Sequence, residues 1–259
     1  MNRSLVIATA LVSLAGCAAR PRSEAPSAPT PTLQATPDSR ATDRPAELRW
    51  VELSPGLRVQ RESRTLELDG FVPIDATNPD TPRIFLEVVV CTPNTREHEA
   101  LVMTRVKPSA VHAALLALGL EPGAPGAIRV ERGEIRAVDP TGPELDVTII
   151  TPDGVEHDAR EWVVHFKSGE SLAKLKPKHR FVFAGSRFVA PKSVTPGPER
   201  YDADDEGLLV GLHTFGGETV AFARAMSPET RLEPAEWIAD RSRVPAYGTP
   251  IRVRIRAVQ

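Results

Sequence analysis

The stretch CTPNTREHEALVMTRVKPSAVHAALLALGLEPGAPG, Cys91 to Gly126, decides how this chain folds. Thr92-Pro93-Asn94 breaks whatever precedes it, and Glu99 to Val106 can return as a strand. Lys107-Pro108-Ser109 then starts a helix that runs from about 109 to 118, with Gly119 as its stop signal. Val111, Ala113, Ala114, Leu115, Leu116, Ala117 and Leu118 make that helix apolar nearly all round. A helix of this kind is expected to be buried. His112 is its one polar interior residue. A buried imidazole without a hydrogen bond costs about 1–3 kcal/mol, so His112 needs a partner.

Working outward, Ile84 to Cys91 is the most apolar strand candidate. With a period of two, Ile84, Leu86, Val88 and Val90 share one face, while Phe85, Glu87, Val89 and Cys91 share the other. Upstream, 57–59 and 65–72 alternate as half-buried strands do, and 73–83 is turn chemistry. Downstream, Leu145 to Thr151, the turn Thr151-Pro152-Asp153-Gly154 and Ala159 to Phe166 read as one hairpin, with Trp162, Val164 and Phe166 inward. Further strands are expected at 180–184, 186–190, 207–213, 218–224 and 249–257, and a short helix around Trp237. The fold class expected is α+β: a mostly antiparallel sheet with one buried central helix, about 109–118, and short additional helices.

The N-terminus points to a membrane. Asn2-Arg3 is a short basic region and Leu5 to Leu14 is apolar, too short to span a bilayer, which takes about 20 residues. Leu14-Ala15-Gly16-Cys17 follows and resembles a lipobox, which makes 1–16 a lipoprotein signal peptide and Cys17 the lipidated residue. Ala18, not aspartate, follows the cysteine, which favours the outer membrane, facing the periplasm. Residues 17–47 are rich in Pro, Ser, Thr and Ala and read as a disordered tether. Residues 48–259 are enough for a single domain. A formal net charge of −2 gives no basic footprint for nucleic acid.

Four residues stand out as a candidate ligand site: Cys91, His98, Glu99 and His112. Cys91 is the only cysteine left once Cys17 carries lipid. Cys91, Glu99 and His112 are the types that hold a transition metal. The same set suits a cysteine nucleophile with a histidine base. A plain core is the third reading, with Cys91 a small buried hydrophobe and Glu99 paired to His112. If 98–106 is one strand, His98 and Glu99 point to opposite faces, and HExxH fails because residue 102 is valine. Asp202 to Gly207 starts like a calcium loop, but position 12 would be His213 instead of glutamate, so an acidic turn is expected. Lys174 to Arg180 reads as a solvated basic loop. No phosphate loop, dinucleotide fingerprint or hydrolase elbow is present.

CTPNTREHEALV, HAALLALGLEPGAPG, EWV at 161–163, FAGSRF at 183–188, YDADDEG at 201–207 and GTPIRV at 248–253 together resemble the YdjY domain. The resemblance implies a domain of unknown function, common in secreted or lipid-anchored envelope proteins. Some relatives carry iron–sulfur segments, for which this chain has no cysteine cluster. The expected function is a non-catalytic cell-envelope lipoprotein that binds a ligand or envelope partner near Cys91, Glu99 and His112. The alternative is a metal- or redox-active site built on Cys91 with His98, Glu99 and His112.

Overall fold

The computed structural model describes residues 49–190 and 197–258. The lipobox, Cys17 and the Pro-rich tether lie outside them. The chain opens with β1 (Val51–Ser54), β2 (Leu57–Gln60) and β3 (Thr65–Phe71), then β4 (Val88–Cys91) and β5 (Ala100–Met103) around a 3-10 turn at Glu97–Glu99. Helix α1 (Pro108–Ala117) leads to the hairpin β6 (Ala127–Glu131) and β7 (Glu134–Val138). Next come β8 (Glu144–Ile150), β9 (Glu156–Asp158), β10 (Val163–His165), α2 (Leu172–Leu175), β11 (Phe181–Phe183) and β12 (Phe188–Val189). The C-terminal part holds β13 (Arg200–Tyr201), α3 (Asp202–Glu206), β14 (Leu208–Gly211), β15 (Val220–Phe222), β16 (Trp237–Ala239) and β17 (Pro250–Ala257).

Eight of these strands run β3-β17-β8-β11-β15-β14-β4-β5, and β5 returns to β3 through the pair Phe71–Met103. The sheet therefore closes into a barrel, which removes the open edges of the ring. Alternation explains the long strands. Ile251, Val253 and Ile255 of β17 are buried, and they face Leu68 and Leu66 of β3 on one side and Ile149 and Val147 of β8 on the other. Phe181, Phe183, Phe222 and Trp162 complete the interior. The intervening Arg252, Arg254 and Arg256 lie on the opposite side of β17.

Glu67 sits outside the barrel, directly across from Arg254 on β17 and from Arg58 on β2. It is 1% exposed, yet it accepts hydrogen bonds from Arg58 (2.9 and 2.6 Å), Arg252 (2.9 Å) and Arg254 (2.8 Å). The guanidinium carbons of Arg58 and Arg254 both lie 5.9 Å from the centre of the Trp50 ring, which adds cation–π contact. Burial alone raises the carboxyl pKa, but the hydrogen bonds from Arg254 and Arg58 outweigh it and hold the group below its ordinary value.

The seam between β3 and β5 depends on Gly70. A Cβ there would stand 2.8 Å from Val102 Cγ1 and 2.9 Å from the Met103 carbonyl oxygen. A residue without a side chain is what lets the two strands meet.

Three expectations are corrected. Among the described residues the fold is mostly β, a closed barrel with three α-helices of 10, 4 and 5 residues, not an α+β sheet around a buried central helix. Helix α1 buries Pro108, Val111, Ala114 and Leu115, while Ala113 and Ala117 are exposed and Leu116 is 46% exposed. Its all-round apolar look came largely from alanines, which are small enough to face water at little cost. The hairpin partner of β8 is β9, and β10 pairs with β16, so Phe166 stays 36% exposed. Trp237 accordingly opens a strand, not a helix.

Replacing Gly70 by alanine is expected to lower stability by about 1–3 kcal/mol through overpacking at the seam, read by chemical denaturation. Glu67 has a depressed folded pKa, so its contribution is fully present above the ordinary value of 4.5 and is lost as pH falls through the lower folded value. Glu67→Gln is expected to cost about 1–3 kcal/mol at neutral pH and to flatten the acid limb of the stability curve, measured by denaturation at stepped pH.

Candidate functional site

Cys91 ends β4, opposite Leu208 of β14 and Met103 of β5. Val88, Ala100 and Leu208 enclose it, with Met103 and Phe215 packed against them, and the residue is fully buried. The following turn is tied by Glu97, whose carboxylate accepts the N–H groups of Asn94 and Thr95, and Asn94 adopts φ +64. Burial, followed by the charge of Glu97, pushes the Cys91 thiol up to about 12. A thiol held neutral at physiological pH is neither a nucleophile nor a metal ligand in that state.

His98 and Glu99 belong to the 3-10 turn before β5 rather than to one strand. The His98 side chain is 76% exposed, with Nε2 3.7 Å from Glu99 Oε1. Glu99 lies beside Glu87, the residue just before β4, and the Glu87 N–H donates to the Glu99 carbonyl at 3.0 Å. Helix α1 turns His112 elsewhere. Its Nδ1 is 2.9 Å from the Tyr201 hydroxyl, which also reaches the Gly185 carbonyl and Thr219 Oγ1 at 3.0 Å each. The His112 ring meets Phe183 and Tyr201 edge-on. The half-buried imidazole thus has its partner, and it is Tyr201, not Glu99.

The structure therefore keeps His98, Glu99 and Glu87 together and places Cys91 and His112 in other surroundings. β4 and β5 run parallel with Val88 opposite Ala100 and Cys91 opposite Met103. Cys91 is four residues further along the sheet than Glu99, about 13 Å. No group of three or more His, Cys, Asp or Glu among the described residues is arranged to hold a metal ion. The acidic run 202–206 forms α3. Asp202 binds Arg187 at 2.8 Å, Asp204 accepts from the N–H and hydroxyl of Ser109, and Asp205 pairs with Arg200 at 3.0 Å.

Glu99 does line a cavity, at the rim where β4 and β5 begin and β14 ends. It has a volume of about 240 Å³ and is walled by Glu87, Glu99, His213, Glu233, Phe85 and Trp237, among others. Burial pushes Glu87 up to about 7, and the Glu99 carboxyl beside it adds to the rise. Arg96 opposes that, with Nη1 2.8 Å from Glu87 Oε2 and its guanidinium 4.1 Å above the Phe215 ring. The N–H groups of Leu212 and His213 both donate to the Glu87 carbonyl, at 3.1 and 2.9 Å, which fixes His213 against the two acids. His213 is 9% exposed, and its Nδ1 has no hydrogen-bond partner among the described residues. Burial pushes its pKa down to about 4, although the charges of Glu233 and Glu99 pull the other way. Glu233 comes from the loop between β15 and β16 and accepts the Ser227 N–H.

Glu87, Arg96, His213, Glu233 and Trp237 were not among the residues singled out in the sequence. Glu87 carried a signal, as the one charged residue in the apolar run 84–91. His213 carried none beyond spoiling a calcium loop.

Two predictions follow from these environments. Cys91 is expected to react with a thiol reagent only as fast as the protein unfolds, measured under native and denaturing conditions. Glu87 and His213 drive stability in opposite directions. With a folded pKa raised from 4.5 to about 7, Glu87 contributes stability below 4.5 that is lost as pH rises towards 7. His213, lowered from 6.5 to about 4, contributes stability above 6.5 that is lost as pH falls towards 4. Between pH 4.5 and 6.5 the two trends offset each other. Glu87→Gln is expected to leave stability rising with pH across that window, and His213→Gln to leave it falling, read from urea midpoints.

A profile of the YdjY domain matches residues 57–256. No curated protein and no solved structure matches the chain. The match covers the barrel up to the penultimate residue of β17, including Glu87, Glu99 and Glu233 of the rim, and the chain belongs to the YdjY domain family.

Proposed function

We propose that this chain is a bacterial cell-envelope lipoprotein whose YdjY domain is a non-catalytic binding module, with the rim cavity of Glu87, Glu99 and His213 as its ligand site. The observation that carries the binding reading is His213. Its ring lines the cavity, and its buried Nδ1 has no hydrogen-bond partner among the described residues, a cost of about 1–3 kcal/mol that packing alone does not call for. The carboxylates beside it can fix a ligand's orientation, and the aromatic walls of Phe85 and Trp237 supply the apolar contact that such sites use. The neutral Cys91 thiol argues against nucleophilic chemistry. The envelope reading is supported by the basic start, the apolar run Leu5 to Leu14 and Leu14-Ala15-Gly16-Cys17. Lipid on Cys17 and the Pro-rich segment after it would hold the domain at the outer membrane on the periplasmic side, near an envelope ligand or partner.

The lipid part is tested in cells. Wild-type protein is expected to take up labelled palmitate and to fractionate with the outer membrane, and Cys17→Ser to do neither. An unlabelled wild-type protein would sink the anchor. The binding part is tested by following the His213 ring signals by NMR while screening small molecules. A ligand is expected to shift them in wild type and to lose at least about tenfold in affinity in Trp237→Ala. One equivalent of zinc, copper or iron in the purified protein, lost in Cys91→Ser, would replace this reading with a metal site that includes Cys91.

A further inference from the structure

The rim cavity has a chemical bias that narrows what can occupy it, and this step rests on the binding reading above. Three carboxylates, from Glu87, Glu99 and Glu233, line the space from three separate segments. The guanidinium that answers them, Arg96, is committed to Glu87 and stacked on Phe215. The imidazole of His213 is neutral at physiological pH. The cavity is therefore negative, which disfavours an anion. Its other walls are apolar and aromatic, with Phe85, Leu86 and Trp237 prominent. A bare metal ion would leave those walls unused, and no metal-holding group of three or more His, Cys, Asp or Glu occurs among the described residues.

We infer that the cavity binds a small organic ammonium ion, a primary amine on a compact apolar body. The amine would sit between the carboxylates of Glu99 and Glu233, with the body against Phe85 and Trp237 and beside the His213 ring. Carboxylate and aromatic faces together are the pairing that recognises organic cations, through charge-assisted hydrogen bonds and cation–π contact. Size agrees. About 240 Å³ lies below the roughly 300–1,000 Å³ of sites for drug-sized ligands, so a single ring or its equivalent fits.

The charge state makes the inference pH-dependent. Glu87 takes up a proton as pH falls below about 7, and that reduces the negative charge facing the ligand. Glu99, Glu233, Arg96 and His213 are the other titratable or charged groups around the space, and His98 lies behind Glu99, with Nε2 3.7 Å from Glu99 Oε1. Lys176, Arg224 and Glu236 belong to the adjoining cavity, which shares His213, Glu233 and Trp237 with it.

The test uses the full-length protein in detergent and two pairs of probes: benzylamine against benzyl alcohol, and cyclohexylamine against cyclohexanol. Calorimetry gives the affinities and the His213 ring signals report the place. Each amine is expected to bind about tenfold or more tightly than its alcohol, to shift the His213 signals, and to weaken as pH falls from about 7. Glu99→Gln is expected to remove most of the preference for the amine. Because the comparison within each pair is made on wild-type protein, it stands whether or not the variant folds. Alcohols that bind as well as amines at His213 would overturn the ammonium inference and leave the binding site standing. Probes that leave the His213 signals unmoved would overturn both.

Discussion

The barrel depends on a single strand with too many partners. β3 gives one whole edge to β17 and must divide the other between β2, over Thr65 to Leu68, and β5, at Phe71. A strand edge can be shared in this way only if the chain changes neighbours within a residue or two. Gly70 is where it does so, because the approach of Val102 and the Met103 carbonyl leaves no room for a Cβ. On the other half of β3, Glu67 gathers arginines from β2 and β17. A carboxylate taken out of water is costly unless hydrogen-bonded and paired, and three guanidinium partners meet that cost here. The ion cluster and the glycine are thus two parts of one arrangement: the first fastens β3 to β2 and β17, the second lets it reach β5.

Closure at β3 fixes where the candidate site can be. With β5 held to β3, the parallel pair β4–β5 and its antiparallel neighbour β14 come into one wall, and the starts of β4 and β5 meet the end of β14 at one rim. Glu87, Glu99 and His213 are the residues just outside those three strand ends. Their meeting is a consequence of register rather than of local sequence, since Glu99 reaches Glu87 through the parallel pairing of β4 with β5 and His213 comes from more than a hundred residues further along the chain. The backbone enforces it: the Glu87 amide is bonded to Glu99, and the Glu87 carbonyl to Leu212 and His213. The side chains then have little choice, and two carboxyl groups share a partly buried space in which the first cannot easily ionise.

Much of the strand content was legible. β2, β3, β8, β14 and β17 follow from period-two alternation and from turn residues between them, and α1 from Pro108 at its start and Gly119 after its end. What alternation does not encode is which strand lies beside which. The pairing of β10 with β16, across some seventy residues, left no local trace, so Trp237 looked helical and Phe166 looked buried. The burial of α1 was overread for a different reason. Hydrophobicity of alanine says little about burial, and four of the ten helix residues are alanine. At the site, Glu99 and the need of His112 for a partner were legible from residue type alone. That His112 would find Tyr201, and Glu99 would face Glu87, was not, because both pairings cross between strands or segments that only the closed barrel brings together.

The chemistry of the domain also lies away from the residue that first attracts notice. Cys91 is enclosed by apolar side chains on a strand whose other end carries the acids, and burial holds its thiol protonated. Interiors tolerate a small neutral thiol well, whereas they tolerate a carboxyl pair poorly. Stability alone would favour keeping the first and removing the second. Here Glu87, Glu99 and His213 line a space of about 240 Å³, Arg96 is paired with the first acid, and His213 Nδ1 has no hydrogen-bond partner among the described residues. The rim, rather than the cysteine, is the place where this fold holds polar groups at a cost in stability.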